Sequence, residues 1–290
     1  MARPGAQLRQ LLARDGLVIA PGAYDGVSAR LVEQAGFDTV YMTGYGTVAS
    51  LLGVPDVGLA TMSEMVDQAR RMVAAVGVPV IADADTGYGN PINVTRTVQE
   101  YERAGIAALH IEDQTWPKRC GNMEGKQVIP LEDMVQKVRA AVGARRDPDL
   151  LIIARTDARD PNGIEDAIQR GRAYAGAGAD VIFVEGPRST VEIEAVGRAL
   201  ASETLLLFNA SASGKVPPVP FQRLCDWGFK LVILPTHTLY VAARAVGEYL
   251  LGLKTAPDST AGSERMLGFD AFNALVGLGE ISRLEQEFAS

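Results

Sequence analysis

The hydrophobic positions of this chain fall into eight short apolar runs separated by amphipathic segments. The runs are rich in β-branched side chains and occupy residues 17–20, 39–42, 79–82, 107–111, 150–154, 180–184, 204–208 and 231–234. The segments between them include residues 62–76, 93–104, 131–142 and 163–175, which place apolar side chains at helical spacing. Because the runs are apolar throughout, they indicate parallel strands covered on both faces. Such strand–helix units over about 250 residues predict a (β/α)₈ barrel, a class of α/β fold, rather than an open doubly wound sheet.

Both ends of the chain carry helical sequence beyond this alternation. Leu8, Leu11 and Leu12 lie at helical spacing and predict a short amphipathic helix before the first strand. The sequence after the last strand run is longer than barrel closure needs. We therefore treat residues 1–290 as a single barrel domain, in which residues 237–290 form a C-terminal helical segment used in oligomerisation.

Polar residues follow nearly every strand run at its C-terminal end. They are Thr43-Gly44-Tyr45-Gly46, Asp83-Ala84-Asp85-Thr86-Gly87, Glu112-Asp113, Arg155-Thr156-Asp157, Glu185-Gly186 and Asn209-Ala210-Ser211-Ala212-Ser213. In a barrel these strand ends share one face, where the catalytic groups of this fold lie. We therefore expect acids, Arg155 and hydroxyl groups to surround one site.

The acids at two of these strand ends have the chemistry of a cation site. Asp83 and Asp85 are two residues apart on an extended segment, so we expect their side chains to project to the same side. With Glu112 from the next strand they form an oxygen-rich cluster suited to a hard divalent cation, Mg²⁺ rather than Ca²⁺, with Mn²⁺ as an alternative. The chain shows no His/Cys spacing typical of zinc. The competing interpretation is that these acids cap helices or pair with arginines.

The remaining polar strand ends offer groups that bind carboxylates. Arg155 can hold a substrate carboxylate through two parallel hydrogen bonds, which a lysine does less specifically. The alternative is an ion pair inside the barrel, from Arg155 to Glu112 or Glu185. Hydroxyl, amide and backbone N–H groups for another carboxylate come from Thr43, Gly44, Tyr45, Asn209, Ser211 and Ser213.

Cys120 lies in the segment Trp116-Pro117-Lys118-Arg119-Cys120-Gly121, just beyond the acids of the fourth strand run. A thiol between two cations and a glycine loses its proton more readily than a free cysteine does. Cys120 is therefore interpreted as a nucleophile or a proton donor rather than as an inert thiol. A cysteine nucleophile normally needs a histidine base, and the chain has only His110 and His237. A thiol that delivers a proton to a carbanion fits better.

The composition narrows the choice of partner and compartment. The formal net charge of −7 and a pI near 5.0 argue against a nucleic-acid or anionic-membrane partner. Apolar runs all fall short of the roughly 20 residues that a membrane span requires. The two cysteines, Cys120 and Cys225, provide no disulfide framework, which is typical of a reducing cytoplasm. We expect a cytoplasmic protein that acts on a small anionic molecule.

Taken together, these motifs resemble those of the isocitrate lyase/phosphoenolpyruvate mutase superfamily over essentially the whole chain. The matching segments are Val40-Tyr41-Met42-Thr43-Gly44-Tyr45, Gly53-Val54-Pro55-Asp56, Ala82-Asp83-Ala84-Asp85-Thr86-Gly87-Tyr88-Gly89, His110-Ile111-Glu112-Asp113-Gln114, Pro117-Lys118-Arg119-Cys120-Gly121 and Ala154-Arg155-Thr156-Asp157-Ala158. The Lys-Arg-Cys-Gly sequence resembles the lyase branch, which contains methylisocitrate lyase, 2,3-dimethylmalate lyase and petal death protein. The phosphonate-forming mutases lack that cysteine.

The resemblance implies a (β/α)₈ barrel whose last helix is exchanged between subunits of a homotetramer, built as a dimer of dimers. It implies Mg²⁺ near Asp83, Asp85, Glu112 and, more distantly, Asp56. The reaction that it implies is cleavage of a C–C bond in a 2-hydroxy di- or tricarboxylate, such as a substituted malate or a methylisocitrate-like acid. The products are an α-keto acid and a second carboxylic acid.

Residue roles follow from the same resemblance. Tyr41 or a neighbouring hydroxyl removes the proton of the substrate hydroxyl, Arg155 steadies the α-keto portion, and the Cys120 thiol protonates the departing carbon. Glu185 orients Arg155 or adjusts the number of protons at the site. Further contacts to the substrate are expected from Lys118, Arg119, Gly121 and Asn122.

Several features leave the substrate open. Lyases of this superfamily usually read Cys-Gly-His, whereas Asn122 follows Gly121 here. The loop after the seventh strand run resembles that of isocitrate lyases, yet the chain lacks their large insertions. In the group with a similar thiol segment, a serine near position 235 accompanies oxaloacetate hydrolysis, and this chain has Pro235. Hydrolysis or decarboxylation of oxaloacetate on the same scaffold, and a carboxylate-binding barrel without turnover, are the alternatives.

Overall fold

The computed structural model describes residues 3–121, 123–256 and 258–289 and shows a closed barrel of eight parallel strands. Neighbouring strands pair in chain order, and the last strand pairs with the first, where Leu231 lies opposite Val18. The strands are β1 Val18–Ala23, β2 Val40–Met42, β3 Val80–Asp83, β4 Ala108–Glu112, β5 Leu151–Thr156, β6 Val181–Val184, β7 Leu205–Asn209 and β8 Leu231–Leu234. The predicted (β/α)₈ barrel is confirmed, and each strand overlaps one of the apolar runs.

Helices connect the strands and cover the outside of the barrel. They are α1 Pro4–Leu12, α2 Gly26–Gln34, α3 Gly44–Leu52, α4 Met62–Ala75, α5 Pro91–Ala104, α6 Leu131–Ala144, α7 Arg159–Asn162, α8 Ile164–Gly176, α9 Thr190–Leu200, α10 Phe221–Asp226, α11 His237–Leu253, α12 Phe269–Leu275 and α13 Leu278–Phe288. Thr61 and Asn90 begin α4 and α5 with reciprocal side-chain and backbone hydrogen bonds, which satisfy N–H groups that a helix start leaves unpaired.

The core has two layers because the strands are apolar on both faces. Inside the barrel, side chains such as Ile81, Ile153 and Phe183 pack against one another. The other faces of the strands pack against the apolar stripes of the surrounding helices. This double burial is the arrangement expected of an all-parallel sheet.

Helix α1 closes the N-terminal end of the barrel. Leu8, Leu11 and Leu12 are buried in the inner layer of the core. The Arg9 guanidinium donates to Asp180, just before β6, over 2.8 Å. With this end closed, the C-terminal ends of the strands are left for a site.

The C-terminal helices leave much apolar surface uncovered. Within α11 and α13, all of whose residues are described, no side chain is buried. Val241, Leu251 and Phe269 are 70, 73 and 82 % exposed. The segment is joined to the barrel through α2, where the Arg30 guanidinium donates to the Leu275 carbonyl over 3.2 Å. Its predicted use in oligomerisation stays a prediction.

None of the helices in the described ranges combines the length and the apolar character needed to cross a lipid bilayer.

Candidate active site

A small cavity of about 40 Å³ opens at the C-terminal ends of the strands. The predicted site residues that line it are Tyr41, Thr43, Tyr45, Asp56, Asp83, Lys118, Cys120, Gly121, Arg155, Glu185, Asn209 and Ser211. Phe183, Ile233, Pro235 and Thr236 complete the wall. The thiol, the guanidinium and acidic groups therefore meet at one place, as the strand-end pattern predicts.

Lys118 lies among the acids. Its Nζ atom is 2.7 Å from Oδ2 of Asp56 and 2.6 Å from Oδ1 of Asp85. Strand β3 ends at Asp83, and Asp85 has a positive φ of 47°, so the alternation of an extended segment does not apply to the two acids. Instead, Asp83 Oδ1 accepts a hydrogen bond from the Asp85 N–H over 2.9 Å. The expectation of an extended backbone through Asp85 is wrong.

The acids predicted to hold Mg²⁺ fit that ion in the type of donor atom. Asp56, Asp83, Asp85 and Glu112 are buried and offer carboxylate oxygens, which Mg²⁺ prefers. Among the described residues, none donates a hydrogen bond to Oδ1 of Asp56. Across the described ranges, no three His, Cys, Asp or Glu side chains converge closely enough to ligate one metal ion. Since Mg²⁺ keeps several waters in proteins, these acids would hold it partly through water.

Burial makes the acids unequal in their affinity for protons. It raises the pKa of Asp85 to about 6, with neighbouring carboxylates adding to the effect and Lys118 opposing it. Burial also acts to raise the pKa of Asp83, but the nearby His110 and Lys118 outweigh it, and the pKa of Asp83 is lowered. Burial raises the pKa of Glu112 well above its usual range. A cation that binds this cluster therefore competes with protons.

Arg155 is fixed between acids at the edge of the cavity. It lies opposite Glu112 in the register of β4 and β5, and its Nη1 is 3.0 Å from Oε2 of Glu112. Its Nε and Nη2 each donate to Asp157 over 2.9 Å. Oε2 of Glu185 is 4.0 Å from Nε, and the guanidinium carbon lies 5.2 Å from the centre of the Phe183 ring. The ion pair with Glu112 is therefore present, and Arg155 also faces the cavity.

Tyr41 joins the barrel interior to the cavity. Its hydroxyl is 2.7 Å from Nε2 of His110. Burial is the main cause that raises the pKa of Tyr41 well above its usual value. Burial also lowers the pKa of His110 to about 4, so its imidazole is neutral at pH 7. Because the Tyr41 phenol keeps its own proton, it can accept another proton only if it passes its own to Nε2 of His110 at the same time.

Residues 115–121, which we term the thiol loop, carry Cys120 to the cavity. The loop starts where Gln114 pairs with Val128 in an antiparallel bridge. The Gln114 side chain then accepts from the Arg119 N–H over 3.0 Å and donates to the Arg119 carbonyl over 2.8 Å. One amide side chain thus fixes the backbone next to the thiol.

The tip of the thiol loop lies directly on the barrel. The Cys120 N–H donates to the Asp56 carbonyl over 3.2 Å. A Cβ atom built on Gly121 would lie 2.7 Å from Nη2 of Arg155 and 2.8 Å from Cδ of Glu185. Only glycine therefore allows the loop to approach Arg155 this closely.

The start of α3 forms another wall of the cavity. Thr43 caps this helix by accepting from the Gly46 N–H over 3.3 Å, and a Cβ on Gly44 would touch the Asp83 carboxylate. The N–H groups at a helix start favour an anionic ligand. A hydrogen bond with Tyr240, together with burial, raises the pKa of Tyr45 to about 12.

Some predicted site residues do not line the cavity. Gly44, Asp85 and Glu112 are buried but are not part of its lining. Arg119 and Ser213 are exposed and do not line the cavity; the Arg119 guanidinium instead donates to the Glu124 carbonyl over 3.2 Å. Asn122 lies outside the described residues. Asn209 faces the site and donates to Glu185 over 3.0 Å.

The sequence pattern did not assign Phe183 and Ile233 to the site. Both are fully buried strand residues, so their hydrophobicity alone marks them as core. Lys126 was missed as well, although its side chain is buried and its Nζ is 3.0 Å from Oδ1 of Asp157. The position of Asp157, two residues after Arg155, could have indicated that this acid lies at the site. The sequence spacing does not show that Lys126 pairs with Asp157.

A larger groove of about 900 Å³ lies beside this site, between the loops that follow β2, β3 and β4. Leu59, Tyr88, Trp116 and Ile129 contribute much of its lining, and Cys120 and Arg155 do not face it. The groups that can do chemistry line the smaller cavity, so we assign the site there.

Comparison with known proteins gives a consistent result. The family model for phosphoenolpyruvate phosphomutase matches residues 8–253. The chain is 47% identical over 286 residues to the 2,3-dimethylmalate lyase of Eubacterium barkeri, covering 98% of each chain. It is 45% identical over 245 residues to the 2-methylisocitrate lyase of Aeropyrum pernix, covering 84% of this chain and 78% of that one.

Solved structures show the same likeness. An oxaloacetate acetylhydrolase bound to the inhibitor 3,3-difluorooxalacetate superposes with a TM-score of 0.92 at 38% identity, covering 99% of this chain and 98% of that one. A phosphonopyruvate hydrolase in complex with oxalate and Mg²⁺ superposes with a TM-score of 0.91 at 28% identity, covering both chains fully at 100%. The chain therefore belongs to the isocitrate lyase/phosphoenolpyruvate mutase superfamily.

Proposed function

We propose that this chain is a Mg²⁺-dependent carbon–carbon lyase that cleaves a 2-hydroxy di- or tricarboxylate into an α-keto acid and a second carboxylic acid. The observation that carries the proposal is the convergence of the Cys120 thiol, the Arg155 guanidinium and the acids Asp56 and Asp83 on one cavity. The names of two relatives, 2,3-dimethylmalate lyase and 2-methylisocitrate lyase, support the same class of reaction.

The residues of the cavity can bind a polyanion. Arg155 holds one carboxylate, and the N–H groups at the start of α3, beside Thr43, hold another. When bound near Asp56, Asp83, Asp85 and Glu112, Mg²⁺ supplies positive charge that stabilises the anionic oxygens of the substrate. Preorganised charges of this kind are usually the largest catalytic contribution.

One proton transfer accompanies the start of bond cleavage, and a second follows it. Tyr41 accepts the proton of the substrate hydroxyl as it passes its own to His110. The electron pair of the C–C bond leaves with the departing carbon, which the Cys120 thiol then protonates. The proton gained at His110 balances the proton lost from Cys120 over one cycle, and solvent exchange restores both. A positioned proton donor contributes roughly 10²–10⁴-fold to the rate.

The apolar part of the cavity lining supports a substrate with an alkyl substituent. Phe183, Ile233 and Pro235 contribute this apolar lining, and the Phe183 ring lies beside the Arg155 guanidinium. An apolar wall stabilises a methyl group by removing it from water, at about 0.8 kcal/mol for each buried methylene-sized group. A substituted malate has both carboxylates for the charged groups and an alkyl group for the apolar lining, whereas oxaloacetate has no alkyl substituent.

Hydrolysis or decarboxylation of oxaloacetate is the second candidate, supported by the likeness to oxaloacetate acetylhydrolase. It needs the same acids and Arg155 but no essential proton from Cys120. A carboxylate-binding barrel without turnover is the third candidate.

We also propose that the chain assembles as a cytoplasmic homotetramer, a dimer of dimers, through residues 237–290, with α11 as the helix exchanged between subunits. The support is the apolar surface that α11, α12 and α13 leave uncovered, including Phe269 and Leu251. Burial of this surface against another copy would stabilise the assembly.

The proposed activity is tested by incubating the protein with 2-hydroxy diacids, 2-methylisocitrate and oxaloacetate, with and without Mg²⁺ or Mn²⁺. Products are followed as pyruvate, glyoxylate and oxalate. We expect Mg²⁺-dependent release of an α-keto acid from a substituted malate or from 2-methylisocitrate. If oxaloacetate alone reacts, oxalate as product would favour its hydrolysis and pyruvate its decarboxylation, the two forms of the second candidate. Binding without any product would favour the third.

A further inference from the structure

Lys126 is a buried cation that the proposed chemistry does not use. Its side chain is 1 % exposed, and its Nζ donates to the Gly121 carbonyl over 2.7 Å and to Oδ1 of Asp157 over 3.0 Å. Oδ2 of Asp160 lies 3.5 Å away. Asp157 is the main cause that offsets the effect of burial and raises the pKa of Lys126, so the side chain is an ammonium at neutral pH.

The same carboxylate holds Arg155. Oδ1 of Asp157 accepts from Nη2 of Arg155 over 2.9 Å as well as from Lys126. Asp157 is itself fixed, because its N–H donates to Oδ1 of Asp113 over 2.9 Å. One buried acid therefore anchors both the guanidinium that faces the cavity and the lysine that binds the thiol loop.

The other end of the contact is next to the thiol. Gly121 is the last residue of the thiol loop and follows Cys120 directly, and the loop rests on Arg155 at this point. A second ion pair in this region, between Lys215 and Glu124, is weak by comparison with the Lys126 contacts. Nζ of Lys215 is 3.5 Å from Oε1 of Glu124, and the two side chains are 35 and 85 % exposed. Lys126 thus provides a buried, charge-assisted link between the tip of the loop and the barrel.

We propose that Lys126 is a positioning residue, which holds the Gly121 carbonyl, and with it the Cys120 thiol, in register with the Arg155–Asp157 pair. Without the ammonium, the Gly121 end of the thiol loop loses this anchor, although Lys118 and the Cys120 N–H still hold the loop to Asp56. The tip loosens at Gly121, and Cys120 becomes more accessible to solvent. The consequence for turnover rests on the function proposed above, whereas the effect on the loop does not.

The test uses the accessibility of the thiol. In a Cys225→Ser background, Cys120 is the remaining cysteine, and its rate of alkylation by iodoacetamide is measured without substrate. We expect Lys126→Met to raise that rate at least about tenfold and to lower kcat by a similar factor, with a smaller change in KM. The matched control is Lys215→Met, which removes the exposed ammonium and should leave the alkylation rate and kcat unchanged.

Two further variants separate positioning from general loss of structure. In a Cys120→Ser background, the alkylation rate of the partly buried Cys225 in α10 is the reference for a general loosening of the structure, and Lys126→Met should not change it. If Lys126→Met does not fold, Lys126→Gln is measured instead, because it keeps an amide donor for the Gly121 carbonyl. We then expect Cys120 to be alkylated faster than in the wild type, but by less than the roughly tenfold increase expected for Lys126→Met.

A folded Lys126 variant whose Cys120 is alkylated at the wild-type rate would overturn the inference, even if the enzyme cleaves its substrate. Faster alkylation in a protein that cleaves no 2-hydroxy acid would support the loop contact and count against the proposed function alone.

Discussion

Lys118 and Asp56 lie 62 residues apart in the chain, yet Nζ of the lysine is 2.7 Å from the aspartate carboxylate. The same ammonium contacts Asp85, so a loop cation neutralises acids from two other loops. Removal of one partner from a buried ion pair leaves an uncompensated charge, which costs roughly 3–5 kcal/mol. We therefore expect Lys118→Met to lower the free energy of unfolding by about that amount, measured by urea denaturation.

Mg²⁺ should partly restore the stability of this variant. A cation that binds the folded state alone stabilises it by mass action, and the acids released from Lys118 offer it more negative charge. Lys137→Met is the control, because Lys137 is buried but donates to the Thr86 carbonyl instead of to these acids. Equal stabilisation of both variants by Mg²⁺ would show that Lys118 does not compete with a cation for Asp56 and Asp85.

Cys120→Ser separates the lyase from the oxaloacetate-cleaving alternatives. A serine hydroxyl is a much weaker acid than a thiol, so we expect cleavage of the 2-hydroxy acid to slow by at least roughly a hundredfold. Cys225→Ser removes the other cysteine, which lies in α10, and should leave kcat unchanged. Near-normal turnover of the Cys120 variant, measured as α-keto acid release, would be incompatible with the thiol as proton donor.

Asp157→Asn should change how stability depends on pH. Burial alone would raise the pKa of Asp157, but Arg155 and then Lys126 outweigh it, and the folded-state pKa is lowered. A lowered pKa means that the charged form stabilises the folded state at pH values above the unfolded pKa of about 3.9, and that this stability is lost as the pH falls further.

We therefore expect wild type to exceed Asp157→Asn in unfolding free energy by about 3 kcal/mol at pH 7. The difference should begin to shrink below pH of about 4. Urea denaturation at pH 7, 5, 4 and 3 measures it. A difference that stays constant over this range would contradict the ion-pair assignment.

Phe269→Glu tests the proposed assembly. This side chain is 82 % exposed at the start of α12, and a charge there could not be buried against another copy without a large cost. We expect a smaller species in size-exclusion chromatography with light scattering. Glu132→Gln, on the exposed surface of α6 and outside residues 237–290, should keep the wild-type mass. If Phe269→Glu kept the wild-type mass as well, this face would not be the interface.

The strands were predictable because each contains a short, largely apolar run that lacks the helical spacing of the segments around it. The position of the site was predictable for the same reason, since Asp83, Arg155 and Glu185 each follow or end such a run. Parallel strands in a barrel bring those ends together whatever the sequence between them.

The pairing within the site was less predictable. Asp85 adopts a left-handed backbone conformation, which local spacing does not reveal, and Lys118 reaches acids that are distant in sequence. Arg119 and Lys118 are neighbours of the same charge, yet one is exposed and the other is buried. Phe183 and Ile233 have the hydrophobicity of core residues, so their place in the cavity wall follows only from the closed barrel.

The most direct test of the central claim is to follow cleavage of 2,3-dimethylmalate in D₂O with Mg²⁺ by NMR. The thiol of Cys120 exchanges its proton with solvent, so in D₂O it delivers a deuteron to the departing carbon. We therefore predict equal amounts of pyruvate and propionate, with one deuterium at C2 of each propionate. The same products should form at least roughly a hundredfold more slowly in Cys120→Ser. Absence of cleavage of this and every other 2-hydroxy acid tested, with folded protein and Mg²⁺ present, would contradict the account.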